Sequence, residues 1–584
     1  MTTNLVNSPD DIVMLAISKI RALARPHLER CLCTHVQQAS ALSPHQVFQH
    51  NLHIKRLSGA GNLSAARKLF DQMPNRDTVS WNSIITAYWQ NNDIEESKKL
   101  FNLMPERNIV SWNSMVAGCL ENNMPDEAFH YFSRMPAKNV ASWNAMISGL
   151  VKFDRVEEAQ RMFDEMPERN VISYTAVMDG WARRGEVKRA RKLFDGMPKR
   201  NLISWAAMIR GYVENSMLEE AEWLFERMPV KSIMAVTAMI TGYCTEGKVK
   251  SARSLFDGIR EKDLISWNAM MSGYVNNEHN EEVLKLHSEM LASGIQPDHT
   301  TLILVLMACS SLSLLQQGRQ THAIAIQTSL DCNVSLSNAL MTMYSKCGSI
   351  HDSNYTFQLT SNRDEVSWNT IIAAWAQHGH YEKALNLFQE MEASGFKPGG
   401  ITFLSILSAS RHTGNVNGSL HIFNLMAAKY KISPQSEHYA CLVDILSRAG
   451  KLEKAYECIK EMPFEAEAAV WGAFLGGCQK YSNVELGELA AEKLIQLDPH
   501  NSGTYIILSN IYAKAGLWRG VTRLRSLMNE KGVKKQPGYS WIEIAGRLHF
   551  FLRGDTSHAD IDKIYSEVER IGLHMEKILG EDGV

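Results

Sequence analysis

Residues 78 to 108 read TVSWNSIITAYWQNNDIEESKKLFNLMPERN. Trp81, Ile84, Ile85 and Tyr88 stand at i, i+3, i+4 and i+7, the spacing of one apolar stripe along an α-helix. The polar triplet Asn91-Asn92-Asp93 breaks the stripe, Ile94, Ser97, Leu100, Phe101 and Met104 resume it, and Pro105 ends it because proline has no N–H to give. The segment therefore predicts two helices, A and B. A single pair cannot cover its own stripe, whereas a stack of such pairs can.

Working outward, the segment recurs. Trp81, Trp112, Trp143, Tyr174, Trp205 and Trp267 lie on one 31-residue grid, with Val236 off type. Gly118, Gly149, Gly180, Gly211, Gly242 and Gly273 form a second column, and Phe70, Phe101, Phe132, Phe163, Phe194, Phe225 and Phe256 a third. Met-Pro closes six units, from Met73-Pro74 to Met228-Pro229. Units 47–77, 78–108, 109–139, 140–170, 171–201, 202–232 and 233–263 keep the grid; 264–298, 299–333, 334–364, 365–399, 400–435 and 436–467 vary in length, about thirteen in all. Two looser helical pairs follow at 468–501 and 502–535, then a hairpin over 540–544 and 549–552 and a helix from Asp560 to Leu579. The fold class is all-α: an α-solenoid of helix-turn-helix repeats with a helical C-terminal extension.

The chain has 584 residues, 45% apolar, and 61 Lys plus Arg against 63 Asp plus Glu for a net charge of −2. No global positive field draws it to a polyanion, so such a partner must be held locally. The longest apolar run, Leu302 to Cys309, is far short of the ~20 residues that span a bilayer, so no membrane partner is expected. Ten Cys are scattered without a C-x-x-C pair, which excludes a zinc site and a disulfide framework. No cofactor is expected.

Units of 31, 35 and 36 residues, V-S-W-N at Val79–Asn82, Val110–Asn113 and Val366–Asn369, and Met-Pro followed by Arg or Lys closing helix B resemble plant pentatricopeptide repeats (PPR) of mixed length. Tetratricopeptide repeats, the alternative, keep 34 residues and bind peptides. The segments Val470–Leu475 and Tyr505–Ala513 resemble the E-type extension of that subclass, and Pro537–Glu543 with Gly554–His558 its extended E+ form, over 468–535 and 536–584. The resemblance implies a right-handed solenoid that binds single-stranded organelle RNA, one base per repeat, read by two side chains.

In that family the reading residues follow the aromatic by one position and precede the next by four. Guanine and uracil present an imino N–H that a carboxylate accepts; adenine and cytosine present a bare ring nitrogen to which an Asn amide donates. The resemblance then assigns Asn51 with Asp77 to U. It assigns Asn82 with Asn108, Asn113 with Asn139 and Asn144 with Asn170 to C, or less well U, and Thr175 with Asn201 to A. Thr237 with Asp263 reads G, while Asn268 with Asp298 and Asn338 with Asp364 read U. Ala206 with Ser232 and Ile303 with Asn333 give no base, and Asn369 with Gly399 is a weak pyrimidine reader. The implied target is 5′-U-C-C-C-A-n-G-U-n-U-n-3′. The same Asn, Asp and Thr also suit ordinary helix caps. A cation column, Arg76, Arg107, Lys138, Arg169, Arg200, Lys231 and Lys262, either follows a phosphate backbone or complements the helix C-termini.

Cytidine deamination needs H-x-E with a C-x-x-C pair. His287-Ser288-Glu289 has no such partner and reads as a solvated helical face. The family's deaminase domain would begin near Val584. The expectation is a site-recognition subunit for C-to-U editing without its own active site, recruiting a deaminase-domain protein through 468–584. A splicing or transcript-stability factor and a peptide-binding scaffold are the alternatives. Lys19, Arg21, Arg25 and Arg30 within residues 1–46 suggest an organelle presequence, mitochondrial before chloroplast, with an internal core helix as the alternative.

Overall fold

The computed structural model describes residues 42–411, 414–533, 539–544, 547–552 and 560–581, so the expected presequence lies outside the described residues. The chain divides into two units, Met1–Val230 and Lys231–Val584. Among the described residues the first holds six helix pairs, from Pro44–Gly59 with Leu63–Gln72 to Leu202–Glu214 with Leu218–Arg227. The second holds nine, from Ile233–Thr245 with Val249–Asp257 to Ser502–Lys514 with Trp518–Glu530. In the segment quoted first, helix A is Thr78–Gln90 and helix B is Ile94–Leu103.

Within each unit, helix A packs on its own helix B and on the helix A of the next pair, while successive B helices meet only through side chains, as Lys98 does Glu127 at 2.5 Å and Phe101 does Tyr131 at a centroid distance of 5.5 Å. The glycine column makes the A–A approach possible. A Cβ on Gly118 would come within 2.7 Å of Trp89, on Gly149 within 2.4 Å of Leu120, and on Gly273 within 2.2 Å of Cys244. Real Cβ contacts do not come so close, so these positions admit hydrogen alone. The polar break after helix A is a connector as well as a stop. Asn122, Asn215 and Asn277 cap their own helix and also donate Nδ2 to carbonyls of the preceding helix A, at Trp89, Ala182 and Cys244, over 3.0, 2.8 and 2.8 Å.

The aromatic columns join each helix B to the helix A that follows. Phe70 meets Trp81, Phe101 Trp112, Phe132 Trp143, Phe163 Tyr174, Phe194 Trp205, Phe256 Trp267 and Phe357 Trp368, with centroids 4.8–5.1 Å apart and planes at 72–81°. This edge-to-face geometry is worth about 0.5–1.5 kcal/mol per pair beyond the area it buries. At the C-terminus, strand β1 (Tyr539–Ile544) runs antiparallel to strand β2 (Arg547–Leu552), and a helix follows over Ile561–Glu581. The strand β2 starts two residues earlier than the sequence suggests, with Ile544 paired to Arg547.

Two adjacent glycines on the helix Ala468–Tyr481 test the close-approach argument with opposite signs. A Cβ on Gly477 would stand 2.3 Å from Ser447 Cβ and 3.1 Å from its Cα, whereas one on Gly476 would meet nothing within 4 Å. Gly477→Ala is expected to destabilise by about 1–3 kcal/mol through overpacking. Gly476→Ala should stabilise by up to about 1 kcal/mol through helix propensity. Urea unfolding followed by circular dichroism measures both.

Candidate nucleic-acid interface

Each second reading residue is the N-cap of the next helix A, with extended backbone and a side-chain oxygen aimed at the third residue of the helix. Oδ1 of Asp77 accepts from Ser80 N at 2.7 Å, and Asn108, Asn139, Asn170 and Asn201 accept from Ser111, Ser142, Ser173 and Ser204 at 2.9–3.0 Å. Asp263, Asp298 and Asp364 accept from Ser266, Thr301 and Ser367 at 2.8–2.9 Å. An Asx side chain can take a backbone N–H only through oxygen. A capping Asn is thus left with its Nδ2 donors, and a capping Asp with its second carboxylate oxygen.

The first reading residue lies beside the second, on helix A. Nδ2 of Asn51, Asn144, Asn268 and Asn338 donates to Oδ1 of Asp77, Asn170, Asp298 and Asp364 at 3.3, 3.3, 3.1 and 3.3 Å. The sequence separation is 26 or 30 residues, so the helix stack alone creates these pairs. Asn82 and Asn113 occupy the same register beside Asn108 and Asn139 without a direct bond. Thr175 donates its hydroxyl to the Val171 carbonyl within its own helix and stands in the register of Asn201; Thr237 stands in that of Asp263.

The carboxylates stay charged. Partial burial pushes Asp77 upward, but hydrogen bonds from the Ser80 side chain and backbone and from Asn51 outweigh it and hold the carboxyl below its usual 3.8. Burial is likewise outweighed at Asp298 by Thr301 and Asn268, and at Asp364 by Ser367 and Asn338.

Sequence periodicity does not reveal two further participants. Thr301 Oγ donates to Asn268 Oδ1 at 2.7 Å and Thr402 Oγ to Asn369 Oδ1 at 2.6 Å, each from the helix A of the following pair. The signal is Thr in place of Ser three residues after the cap. Gly399 has no side chain to cap with, and its N–H instead donates to Thr402 Oγ at 3.0 Å.

The cation column serves the helix ends. Nε and Nη2 of Arg76 donate to the Phe70 and Asp71 carbonyls at 3.0 and 2.8 Å, and Arg107, Arg169 and Arg200 repeat the pattern. Lys138 and Lys262 donate to the Met135 and Ile259 carbonyls at 3.3 and 2.9 Å. Each of these six cations also lies over the phenylalanine of its own repeat at 4.8–5.2 Å. Lys231, the seventh, stands at the same register in the second unit. The C-terminal capping alternative is therefore realised at these six.

One expectation is corrected. His287 is not on a solvated face: it occupies the phenylalanine column of its helix B, is buried, and its burial lowers the imidazole pKa. Ser288 and Glu289 are exposed. Among the described residues no cluster of His, Cys, Asp or Glu could hold a metal, and no helix is long and apolar enough to cross a membrane.

Comparison with known proteins agrees with this geometry. The PPR repeat profile matches residues 79–109, 110–140, 141–171, 172–202, 203–233, 235–264 and 437–465, and the PPR repeat family profile matches 262–311 and 363–411. An E motif matches 481–543. The Arabidopsis thaliana pentatricopeptide repeat-containing protein At1g20230 is 41% identical over 288 residues, 49% of this chain and 38% of its own length. The chloroplastic At3g49170 of that plant is 42% identical over 291 residues (50% and 34%), and the mitochondrial At3g02330 is 41% identical over 303 (52% and 34%). The matched stretch thus spans less than half of each relative. The crystal structure of the pentatricopeptide repeat protein PPR10 in complex with an 18-nt psaJ RNA element is similar at 18% identity and a TM-score of 0.48, over 83% of this chain and 84% of that one. The chain belongs to the pentatricopeptide repeat family, with an E motif following repeats of mixed length.

Proposed function

We propose that the chain is a sequence-specific single-stranded RNA-binding factor of a plant organelle, the mitochondrion in the first instance. It serves as the site-recognition subunit for C-to-U editing and recruits a deaminase in trans through residues 468–584. The observation that carries this reading is the capping geometry. With one oxygen committed to the backbone, Asn108, Asn139, Asn170 and Asn201 are left with a donor, which suits the bare ring nitrogen of C or A. Asp77, Asp263, Asp298 and Asp364 are left with an anionic acceptor, which suits the imino N–H of U or G. The cap thus supports the assignment of keto and amino bases along 5′-U-C-C-C-A-n-G-U-n-U-n-3′. In the cation column, Nη1 of Arg76, Arg107, Arg169 and Arg200 is the group left for a phosphate oxygen after Nε and Nη2 have met carbonyls. The E motif at 481–543 and relatives named as mitochondrial or chloroplastic support the editing and organelle parts. In this reading the chain supplies recognition, and the chemistry comes from the partner.

The purified protein should bind the proposed RNA more tightly than a scrambled RNA of equal composition, and the preference should survive a rise in salt; equal, salt-sensitive binding of both would sink the base assignments. Asp263→Asn replaces an acceptor by a donor and keeps the cap, so it should shift the seventh base from G to A by roughly 1–3 kcal/mol in competition binding. Because Asp298 and Asp364 are held below 3.8, they are anionic throughout the neutral range. The preference for U over C at their positions should therefore stay flat from pH 8 down to about pH 5, measured by fluorescence anisotropy.

A further inference from the structure

Downstream of the last pair of reading residues, the inner face changes character. A groove of about 600 Å³ lies between the helices Ser436–Arg448 and Ala468–Tyr481 and is bordered by Arg411. One wall is the stripe Ala469, Gly472, Ala473 and Gly476, on one helix face by its i, i+3, i+4, i+7 spacing. A Cβ on Gly472 or Gly476 would meet nothing within 4 Å, so this wall is open floor and not a helix contact. The opposite wall is charged. Asp444, 9% exposed, accepts Nε of Arg411 at 2.7 Å and Nε of Arg448 at 2.8–2.9 Å. Lys480 closes the rim, with Nζ on the Arg448 carbonyl at 2.9 Å.

The charge arithmetic favours an anion: two guanidinium groups and one ammonium face a single carboxylate. Both arginines spend Nε on Asp444, which braces the guanidinium planes and leaves their Nη groups for another acceptor. The register favours a nucleic-acid strand over an acidic peptide. Ala440 and Gly472 follow Tyr439 and Trp471 by one position, as Asn82 follows Trp81, so the groove continues the line of first reading residues. What differs is the chemistry, since neither Ala440 nor Gly472 carries a hydrogen-bonding side chain.

Resting on the reading of this chain as an RNA-binding protein, we propose that the groove lined by Arg411, Arg448, Lys480, Gly472 and Gly476 is a base-independent clamp on the phosphodiester backbone, holding the RNA immediately 3′ of the bases that are read. It grips the strand where selection has ended and leaves the bases of that segment uncommitted.

The full chain is titrated with the eleven-nucleotide target and with its scrambled form, each with and without a six-nucleotide 3′ tail of either uridines or adenosines. A tail should tighten binding about three- to tenfold whatever its base, and raise the magnitude of the logarithmic salt slope by about 0.7 for each phosphate engaged. The same tail at the 5′ end should add nothing. Arg448→Gln, which leaves Arg411 on Asp444, should cancel most of the gain, as should Gly472→Glu, which puts a negative charge on the open floor without disturbing a contact. Gly472→Lys should enlarge it. If the target is preferred over its scramble but no tail effect appears, or if the effect depends on the tail's base or survives both Arg448→Gln and Gly472→Glu, the clamp is overturned while the recognition reading stands. If target and scramble bind alike but the tail still gives a base-independent gain that both variants cancel, the base assignments fall and the clamp stands. If neither preference nor tail effect appears, both fall. Binding of an oligoglutamate peptide that Arg448→Gln abolishes, with no tail effect on RNA, would assign the groove to an acidic peptide instead.

Discussion

Everything at the repeat junctions depends on one hydrogen bond, from the third backbone N–H of a helix A to the side-chain oxygen of the Asx residue before it. Without it the first turn of that helix has an unmet donor, at a cost of about 1 kcal/mol. Ten residues after the cap, the glycine that meets the preceding helix A would be placed by a frayed end. With it, the Asx side chain is fixed in one orientation and has only one kind of group left to present. Asp77 and Asn108 perform the same structural task and differ solely in what remains, an anionic oxygen or a pair of N–H donors. A structural requirement that fixes orientation is thereby compatible with variation in the presented chemistry. This is what a modular reader needs.

The second constraint is the spacing between A helices. Leu120 lies where a Cβ on Gly149 would be, and Cys244 where one on Gly273 would be. Because the backbones of successive A helices approach more closely than those of successive B helices, each unit brings its A residues closer together than its B residues. That proximity lets Asn51 reach Asp77 and Asn268 reach Asp298 across 26 and 30 residues of sequence. The aromatic pairs at about 5 Å then tie each helix B to its successor, so that each repeat holds its neighbours. Stability of this kind adds up along the stack.

Periodic features were legible in the sequence because they repeat. The aromatic, glycine and phenylalanine columns announce helix pairs, close approach and junctions before any coordinate is known. Features that occur once or twice were not. Thr301 and Thr402 support Asn268 and Asn369 through one extra methyl-bearing side chain in a position that is otherwise Ser. Arg411, Asp444 and Arg448 fall in no column, and only the stack brings them together. Taken as a local H-S-E triplet, His287 looks exposed, while its column membership, the phenylalanine position of helix B, predicts the burial that is found. The cation column shows a further limit. Its period was plain, but whether the guanidinium turned towards a ligand or back onto the Phe70 and Asp71 carbonyls depended on side-chain geometry that spacing does not encode.

The segment after the repeats makes the same point from the other side. The helices Ala468–Tyr481 and Ser502–Lys514 continue the A layer, with Trp471 in the aromatic register and Gly477 against Ser447 in close approach. The stacking rules therefore persist after the reading residues have gone. Glu467 begins the first of these helices without a side-chain cap bond, and Gly472 replaces the Asn that follows the aromatic elsewhere. The next helix of the layer keeps its cap, Asn501 Oδ1 accepting from Gly503 N at 3.0 Å, but Ile506 follows its aromatic Tyr505. What goes in this segment is the first-position Asn while the packing stays, as expected of a scaffold where base selection, on the proposed reading, stops and the stack goes on for another purpose.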